Sequence, residues 1–176
     1  MLQPMANIPR IAAGYRQIVI EMQRHFHMYP EVAWQEQKTS KTIHSALRRL
    51  GIPFELIAET GVLTTLEGNH TGKTIVLRWI WPPCNCRKTI ITRTIETICG
   101  PSGLRRLPPM TGAEDFAFYL QKIPGAFVFL GGGKKTKGLT FPQHHESFGI
   151  DEQALEIGTA LNAQYALDFL NTAAPS

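Results

Sequence analysis

Residues 74–77 read Thr-Ile-Val-Leu, and this stretch decides the fold class that the sequence predicts. A nearly continuous apolar run of this length is typical of a strand buried in the middle of a sheet. Two shorter strand-like stretches precede it, at residues 53–57 and 62–66, and a turn at residues 68–72 leads into it. Three strands that follow two predicted helices indicate a layered α/β structure.

Two amphipathic helices are predicted upstream of these strands. Apolar residues recur at spacings of three and four from Ile11 to Phe26, which is the period of a helix with one buried side. A second helix is predicted from Ser40 to Leu50, with Ser40 or Thr39 as its cap. The stripe expected to be buried on the first helix consists of Ile11, Tyr15, Ile18, Val19, Met22 and Phe26.

The second half of the chain predicts further helices and strands. Residues 89–99 are rich in Ile and Thr, and they are compatible with helix or strand, with a local preference for strand. A capping box at residues 111–114 begins a helix that ends near residue 122, and residues 125–130 are typical of a buried strand. The final helix is expected over residues 151–171, with a buried stripe of Ala154, Ile157, Leu161, Tyr165 and Phe169.

The composition is that of an ordinary globular chain. Its 176 residues are 43% apolar and 18% charged, which suits one domain. The net charge of +4 comes from scattered Lys and Arg residues, which we interpret as solvated surface, with no nucleic-acid partner. Three cysteines, an odd number, argue against a disulfide framework. Without an apolar run of 18 residues or a signal-like N-terminus, we expect a cytoplasmic protein with no membrane partner.

Two pairs of polar residues are candidates for chemistry. His144-His145 lies in a loop before the final helix, and neutral imidazole is the commonest nitrogen ligand of zinc. On local grounds, surface histidines explain this pair equally well. Glu114-Asp115 opens a helix, where carboxylates cap the first turn and interact favourably with the helix dipole. A functional role for these carboxylates requires a metal or substrate nearby.

Two other polar groups have structural interpretations. Cys84-Asn85-Cys86 has one residue between its cysteines, whereas structural zinc sites use pairs separated by two to four residues. Arg24, His27, Pro30 and Glu31 form a compact polar group that we interpret as helix-terminal hydrogen-bonding residues.

The first half of the sequence resembles the opening of amidohydrolases that cleave N-acyl amino acids. These include hippurate hydrolases and the hydrolases of auxin–amino acid conjugates (peptidase family M-twenty). The likeness covers residues 24–31 (Arg-His-Phe-His-Met-Tyr-Pro-Glu), Glu36, Thr39-Ser40, residues 60–62 and residues 74–78. In that family the last strand leads into Ala-Asp-Met-Asp-Ala-Leu-Pro, whereas Trp-Ile-Trp-Pro-Pro stands at residues 79–83 here.

The second half resembles the C-terminal catalytic segment of the same family, over residues 107–116 and 124–131. Residues 145–152 (His-Glu-Ser-Phe-Gly-Ile-Asp-Glu) resemble its terminal His-Pro-x-Phe-x-Ile-Asp-Glu motif. This alignment makes His145, rather than His144, the counterpart of the family's last metal-binding histidine. The resemblance thus implies that His144 and Glu114-Asp115 lie near the site.

The resemblance implies a zinc-exopeptidase-like α/β catalytic domain, with a central sheet flanked by helices. Residues 1–176 would form one partial catalytic domain, with an N-terminal part at 1–78, an unmatched junction at 79–99 and a C-terminal part at 100–176. The domain that the family inserts for dimerisation would be lacking, which leaves the oligomeric state open. The family's cofactor is a pair of divalent metal ions (zinc, manganese or cobalt), and its substrate is a small N-acyl amino acid or peptide.

Two functional hypotheses follow from the resemblance. The sequence has no Cys-x-His pair and no Glu-Glu pair, which in the family supply metal ligands and the general base. The first hypothesis is therefore an inactive amidohydrolase fold, with no catalytic residue and with His145 as a former ligand that holds little or no metal. The second is a non-catalytic interaction module that uses residues 79–99, from Trp79 to Cys99, as an exposed contact patch.

Overall fold

The computed structural model describes residues 7–68, 72–77, 83–84, 88–105, 116–123, 125–142 and 145–172. Its helices are α1 (Ile8–Met28), α2 (Gln37–Arg49), α3 (Lys88–Cys99), α4 (Phe116–Leu120) and α5 (Gln153–Leu170), and its strands are β1 (Phe54–Ile57), β2 (Gly61–Thr64), β3 (Pro83–Cys84) and β4 (Ala126–Phe127). Contacts group the chain into two compact units, Glu21–Thr71 and the combination of Met1–Ile20 with Gly72–Ser176. The predicted mixed α/β class is confirmed, and the predicted single partial domain stays a prediction.

The smaller unit contains a β-hairpin packed on α2. Strands β1 and β2 pair antiparallel, with Phe54 opposite Thr64 and Ile57 opposite Gly61. The Phe54 ring stacks on the imidazole of His44 in α2, with 4.7 Å between the ring centroids. The two strands predicted over residues 53–57 and 62–66 are therefore confirmed, although each has four residues and the second begins one residue early, at Gly61.

Helix α2 is capped by a residue that lies well before it in the sequence. The Glu31 carboxylate accepts hydrogen bonds from the backbone N–H groups of Lys38 (3.0 Å) and Thr39 (2.7 Å). These N–H groups have no partner within the helix, so the carboxylate satisfies donors that would otherwise need water. The same bonds lower the pKa of Glu31. Capping by Ser40 or Thr39 was a wrong prediction, because Ser40 lies inside the helix, whereas the helix-terminal role of Glu31 is confirmed.

The core of the larger unit lies between α3 and α5. Ile90, Ile91 and Ile95 of α3 pack with Leu161 and Tyr165 of α5, and the Tyr165 side chain is fully buried. The strand preference predicted for residues 89–99 is wrong. β-branched residues favour strands intrinsically, but here they recur with the spacing of one helical face, so burial against α5 outweighs that preference.

A buried polar contact crosses the same helix pair. Thr94 is fully buried, and its hydroxyl donates to the Asp168 carboxylate at 2.6 Å. The other oxygen of Asp168 accepts from the Gln164 amide at 2.9 Å. Since a buried polar group is costly unless it is hydrogen-bonded, this contact favours one register of α3 on α5.

The strands of the larger unit are shorter than predicted. Only Ala126–Phe127 of the predicted strand at residues 125–130 is a strand, and it pairs antiparallel with Pro83–Cys84. The predicted buried strand at residues 74–77 is wrong: Val76 and Leu77 are 50% and 43% exposed, and only Leu77 forms a bridge. In the part of the chain described, the named strands form two two-stranded sheets, and the central sheet stays a prediction.

Two predicted helices are confirmed with differences in the residues they bury. Helix α1 buries Ile8, Ala12 and Ile20, whereas the predicted stripe residues Ile11, Tyr15 and Ile18 are 48%, 54% and 57% exposed. The edge at Ile8 and Ala12 packs on Ala160 of α5, where two alanines allow the helices to approach closely. Helix α5 buries Ala154, Leu155, Ala160, Leu161, Gln164 and Tyr165.

We expect Ile95→Ala to lower the free energy of unfolding by about 2–5 kcal/mol, and Ile95→Val by about 0.5–1.5 kcal/mol. Both substitutions remove atoms from the α3–α5 core, where Ile95 is 4% exposed. Phe118→Ala on the exposed side of α4 serves as the matched control, with an expected change within about 0.5 kcal/mol. Urea unfolding measures all three; equal effects at Ile95 and Phe118 would contradict the assigned core.

Candidate metal centre

His145 lies in a tight turn at the start of the C-terminal motif, residues 145–152. Its backbone N–H donates to the Pro142 carbonyl (3.2 Å), and its carbonyl accepts from the Phe148 N–H (2.9 Å). The imidazole stacks on the ring of Phe141, with centroids 4.3 Å apart and planes 20° from parallel. The side chain is exposed to solvent, so the stacking and the turn, rather than burial, hold the ring in place.

The hydrogen bond at Nδ1 determines what this imidazole can bind. The backbone N–H of Ser147 donates to Nδ1 of His145 at 3.0 Å. A nitrogen that accepts a hydrogen bond carries no proton, so the neutral ring has its proton on Nε2. A metal-binding histidine has the opposite arrangement, with the second ring nitrogen donating to a carboxylate or carbonyl. The observed contact therefore favours the tautomer that cannot coordinate through Nε2.

Asp151, six residues after His145, anchors this segment to the glycine-rich loop. Its carboxylate lies 2.9 Å from Nζ of Lys134 and 2.7 Å from Nζ of Lys137, and its backbone N–H donates to the Gly132 carbonyl at 2.7 Å. Hydrogen bonds from the two lysines, above all Lys137, lower the pKa of Asp151 to about 2. Asp151 is also a buried residue. The loop at residues 131–138 and the start of α5 are thus held together by one carboxylate.

The structure describes one of the four site residues predicted from the sequence. His145 is described, while His144, Glu114 and Asp115 lie outside the described residues, as does Cys86. Within the described ranges, no group of three or more His, Cys, Asp or Glu side chains is arranged to hold a metal ion. Cys99 is a half-buried free thiol, and burial raises its pKa, which makes it a poor metal ligand at neutral pH.

A binuclear site requires several converging donors, and the described residues do not fit one. Catalytic zinc sites use about three protein ligands with one open position. His145 has its Nδ1 lone pair occupied by the Ser147 N–H, which leaves the proton of the neutral ring on Nε2, and its ring neighbour is the apolar Phe141. The donors among the described residues therefore disagree with the pair of metal ions that the resemblance implies.

Comparison with known proteins identifies the family. The sequence profile of peptidase family M20/M25/M40 matches residues 18–168, which is most of the chain. The chain belongs to this family. The matched range includes α3, which lies within the junction predicted at residues 79–99.

Three relatives show how the family likeness is distributed. Thermostable carboxypeptidase 1 of Saccharolobus solfataricus is 43% identical over 92 residues, which is 52% of this chain and 23% of the relative. IAA-amino acid hydrolase ILR1-like 6 of Arabidopsis thaliana is 42% identical over 78 residues, 44% of this chain and 17% of the relative. N-acetylcysteine deacetylase of Bacillus subtilis is 44% identical over 61 residues, 35% of this chain and 15% of the relative. The matched segments therefore span less than a quarter of each of these relatives.

No solved structure matches the chain with significance. In the described ranges, no helix is long and apolar enough to cross a membrane. The three relatives are named as a carboxypeptidase, an IAA-amino acid hydrolase and an N-acetylcysteine deacetylase.

Sequence reasoning missed the lysines that bind Asp151. The signal was present: Lys134 and Lys137 follow three glycines, and Asp151 lies two residues before the last helix. Asp151 was interpreted only as part of a family motif and a helix start. Its pairing with the loop depends on the turn around Gly138, which has φ 70° and brings Leu139 back to pair with Lys134.

We expect His145 to be present as its Nε2–H tautomer at pH 8, because the Ser147 N–H occupies the lone pair of Nδ1. Long-range ¹H–¹⁵N correlation spectra of uniformly ¹⁵N-labelled protein report the tautomer directly. The spectrum should be unchanged by one equivalent of zinc. A predominant Nδ1–H form, or a zinc-induced shift of Nε2, would contradict the assignment. His27→Ala and His145→Ala spectra assign the signals.

We expect Asp151→Asn to be less stable than the parent protein at neutral pH, with the difference lost in acid. The folded pKa of about 2 lies below the usual value of 3.8, so the ionised form is favoured in the folded state. The stabilisation that ionised Asp151 gives the folded state is fully present above about pH 4. It is lost as the pH falls toward about 2. Unfolding curves from pH 7 to pH 2 measure it.

Two lysine variants provide matched controls for this pH dependence. Lys137→Met removes one of the Asp151 partners and should reduce the acid-dependent loss of stability. Lys135→Met changes an exposed lysine in the same loop and should leave the pH profile unchanged. Identical profiles for the two variants would contradict the role of the Asp151 pairs.

Proposed function

We propose that this chain is a catalytically inactive member of the amidohydrolase family, with an internally shortened catalytic domain. The proposal includes the loss of the inserted dimerisation domain and of the segments that supply most metal ligands. It is supported by the sequence on both sides of residues 79–99, where motifs that resemble those of the family follow one another in the family's order. The match of the family profile across residues 18–168 supports the ancestry.

The hydrogen bond from Ser147 to His145 Nδ1 is the observation that carries the proposal. The resemblance makes His145 the last metal-binding histidine of the family, yet its ring is held in the tautomer unsuited to coordination. Cys-x-His and Glu-Glu pairs are lacking from the whole sequence, so no general base is supplied from the family positions. Loss of general acid–base catalysis alone lowers a rate by about 10²- to 10⁴-fold.

The ancestral substrate would be a small N-acyl amino acid or peptide, and the ancestral cofactor would be zinc, manganese or cobalt. Names of the relatives support this substrate class, since they include a carboxypeptidase, an IAA-amino acid hydrolase and an N-acetylcysteine deacetylase. His144, Glu114 and Asp115 keep their proposed places near the former site, and the cytoplasmic location also stays a prediction.

The second candidate function, a contact module at residues 79–99, has less support. Helix α3 supplies Ile90, Ile91 and Ile95 to the core, so its apolar side is already packed against α5. The two tryptophans of the segment, Trp79 and Trp81, lie outside the described residues. A contact patch would therefore have to be formed by residues before α3.

The test is an assay of purified protein with zinc, manganese or cobalt against a panel of N-acyl amino acids. We expect no turnover above the level of His145→Ala under any condition. N-acetylcysteine deacetylase of Bacillus subtilis, assayed in parallel, verifies that the panel and metals support catalysis in the family.

His27→Ala is the matched control, because it removes an exposed histidine of α1 outside the C-terminal motif. Metal-dependent turnover that persists in His27→Ala and disappears in His145→Ala would overturn the proposal. Such a result would show that the chain assembles a working centre around His145.

A further inference from the structure

Helix α1 carries an exposed apolar stripe next to its buried face. Ile11, Tyr15 and Ile18 follow one another at spacings of four and three, so they lie on one side of the helix, and each is about half exposed. Ile8 and Ala12, which pack on α5, lie on the neighbouring side. The stripe is thus accessible while α1 is docked.

Gly14 makes a notch in the helix surface beside Tyr15. A shallow open depression there is lined by Asn7, Arg10, Ile11, Gly14 and Tyr15. A Cβ placed on Gly14 would have no atom within 4 Å, so the notch is not filled by the chain itself. Glycine in a helix interior is unfavourable relative to alanine, and no intramolecular contact in the described residues compensates for it.

Charged residues lie along one edge of the stripe. Arg10 and Glu21 are eleven residues apart, which is three helical turns, so both lie on the edge that also contains Gly14. When two copies of one helix pair antiparallel, like edges of the two helices face each other. Arg10 of one copy would then lie beside Glu21 of the other, and the contact would occur twice.

The same antiparallel arrangement matches the apolar residues. A two-fold axis near Gly14 and Tyr15 places Ile11 of one copy opposite Ile18 of the other. It also brings the two Gly14 positions together on the charged edge, where the absence of a side chain lets the helices approach closely. Arg10 is then offset from the facing Glu21 by about 3 Å along the axis, within the reach of an arginine side chain. Glu21 already has a partner within its chain, and a carboxylate has acceptor capacity for another.

We propose that α1 is a self-association surface that binds a second copy of this chain in an antiparallel, two-fold symmetric pair. The occupant is a second copy because the stripe, the notch and the charged edge complement themselves under one rotation. The contact uses one face of a single helix, so we expect a dissociation constant in the micromolar range or weaker. The inference does not depend on catalytic activity.

Sedimentation equilibrium of the full chain over a range of protein concentrations tests the proposal. Arg10→Glu and Glu21→Arg should each raise the dimer dissociation constant by about tenfold or more, because each change acts twice and replaces attraction by repulsion. The double variant restores opposite charges and should return the constant to within about threefold of the parent. A double variant as weak as either single change would overturn the pairing.

Gly14→Leu separates association from folding. Leucine is a better helix former than glycine and has open space at this position in the monomer. The variant should therefore melt at a higher temperature and yet fail to dimerise. If Gly14→Leu dimerises as strongly as the parent, the proposed role of Gly14 in the dimer contact is wrong.

Phe118→Ser is the control for non-specific association, since Phe118 is an exposed apolar side chain on α4. This variant should dimerise like the parent. A parent protein that stays monomeric to millimolar concentration would overturn the proposal. So would growth beyond two copies, because a two-fold contact closes at the dimer.

Discussion

The packing of α3 on α5 is the contact on which the rest of the larger unit depends. Tyr165 is fully buried there among isoleucines of α3, and Thr94 donates to Asp168 across the same interface. Helix α5 then carries α1 on its Ala160 side and begins just after Asp151. Among the described residues of this unit, the α3–α5 pair therefore supplies the core on which α1 packs.

The position of His145 follows from this arrangement. Asp151 binds Lys134 and Lys137, and this links the glycine-rich loop to the start of α5. The turn that carries His145 lies between these anchored segments, and the Ser147 N–H sets the tautomer of its ring. In this turn Nδ1 of His145 accepts a hydrogen bond, whereas the second ring nitrogen of a metal-binding histidine donates one. The proposed loss of catalysis is argued from the contact at Nδ1.

The sequence predicted the helices better than the strands. The helices α1, α2 and α5 were predictable because each has a long apolar period of 3.6 residues that local geometry enforces. Residues 74–77 were expected to be a buried strand, yet Val76 and Leu77 are exposed. An apolar run records only that a segment favours burial, whereas a strand also requires partners that other parts of the chain must supply. Residues 89–99 failed for the opposite reason, since strand propensity hid a helical face.

Within the site, the sequence identified His145 through its motif and its order in the chain. It could not identify the Ser147 contact, because a backbone N–H is present at nearly every residue and only the turn brings it to Nδ1. The sequence indicated that Glu31 lies at a helix end, but not that it caps α2. Its capping bonds to α2 span seven and eight residues. Long-range polar contacts of this kind depend on the fold and leave no local periodicity.

Elemental analysis of the purified protein tests the central claim, that this member of the family no longer assembles its metal centre. After exposure to zinc, manganese and cobalt and removal of free metal, we expect well below one tightly bound ion per chain, with no difference between the parent and His145→Ala. One or two ions per chain in the parent, lost on His145→Ala, would contradict it.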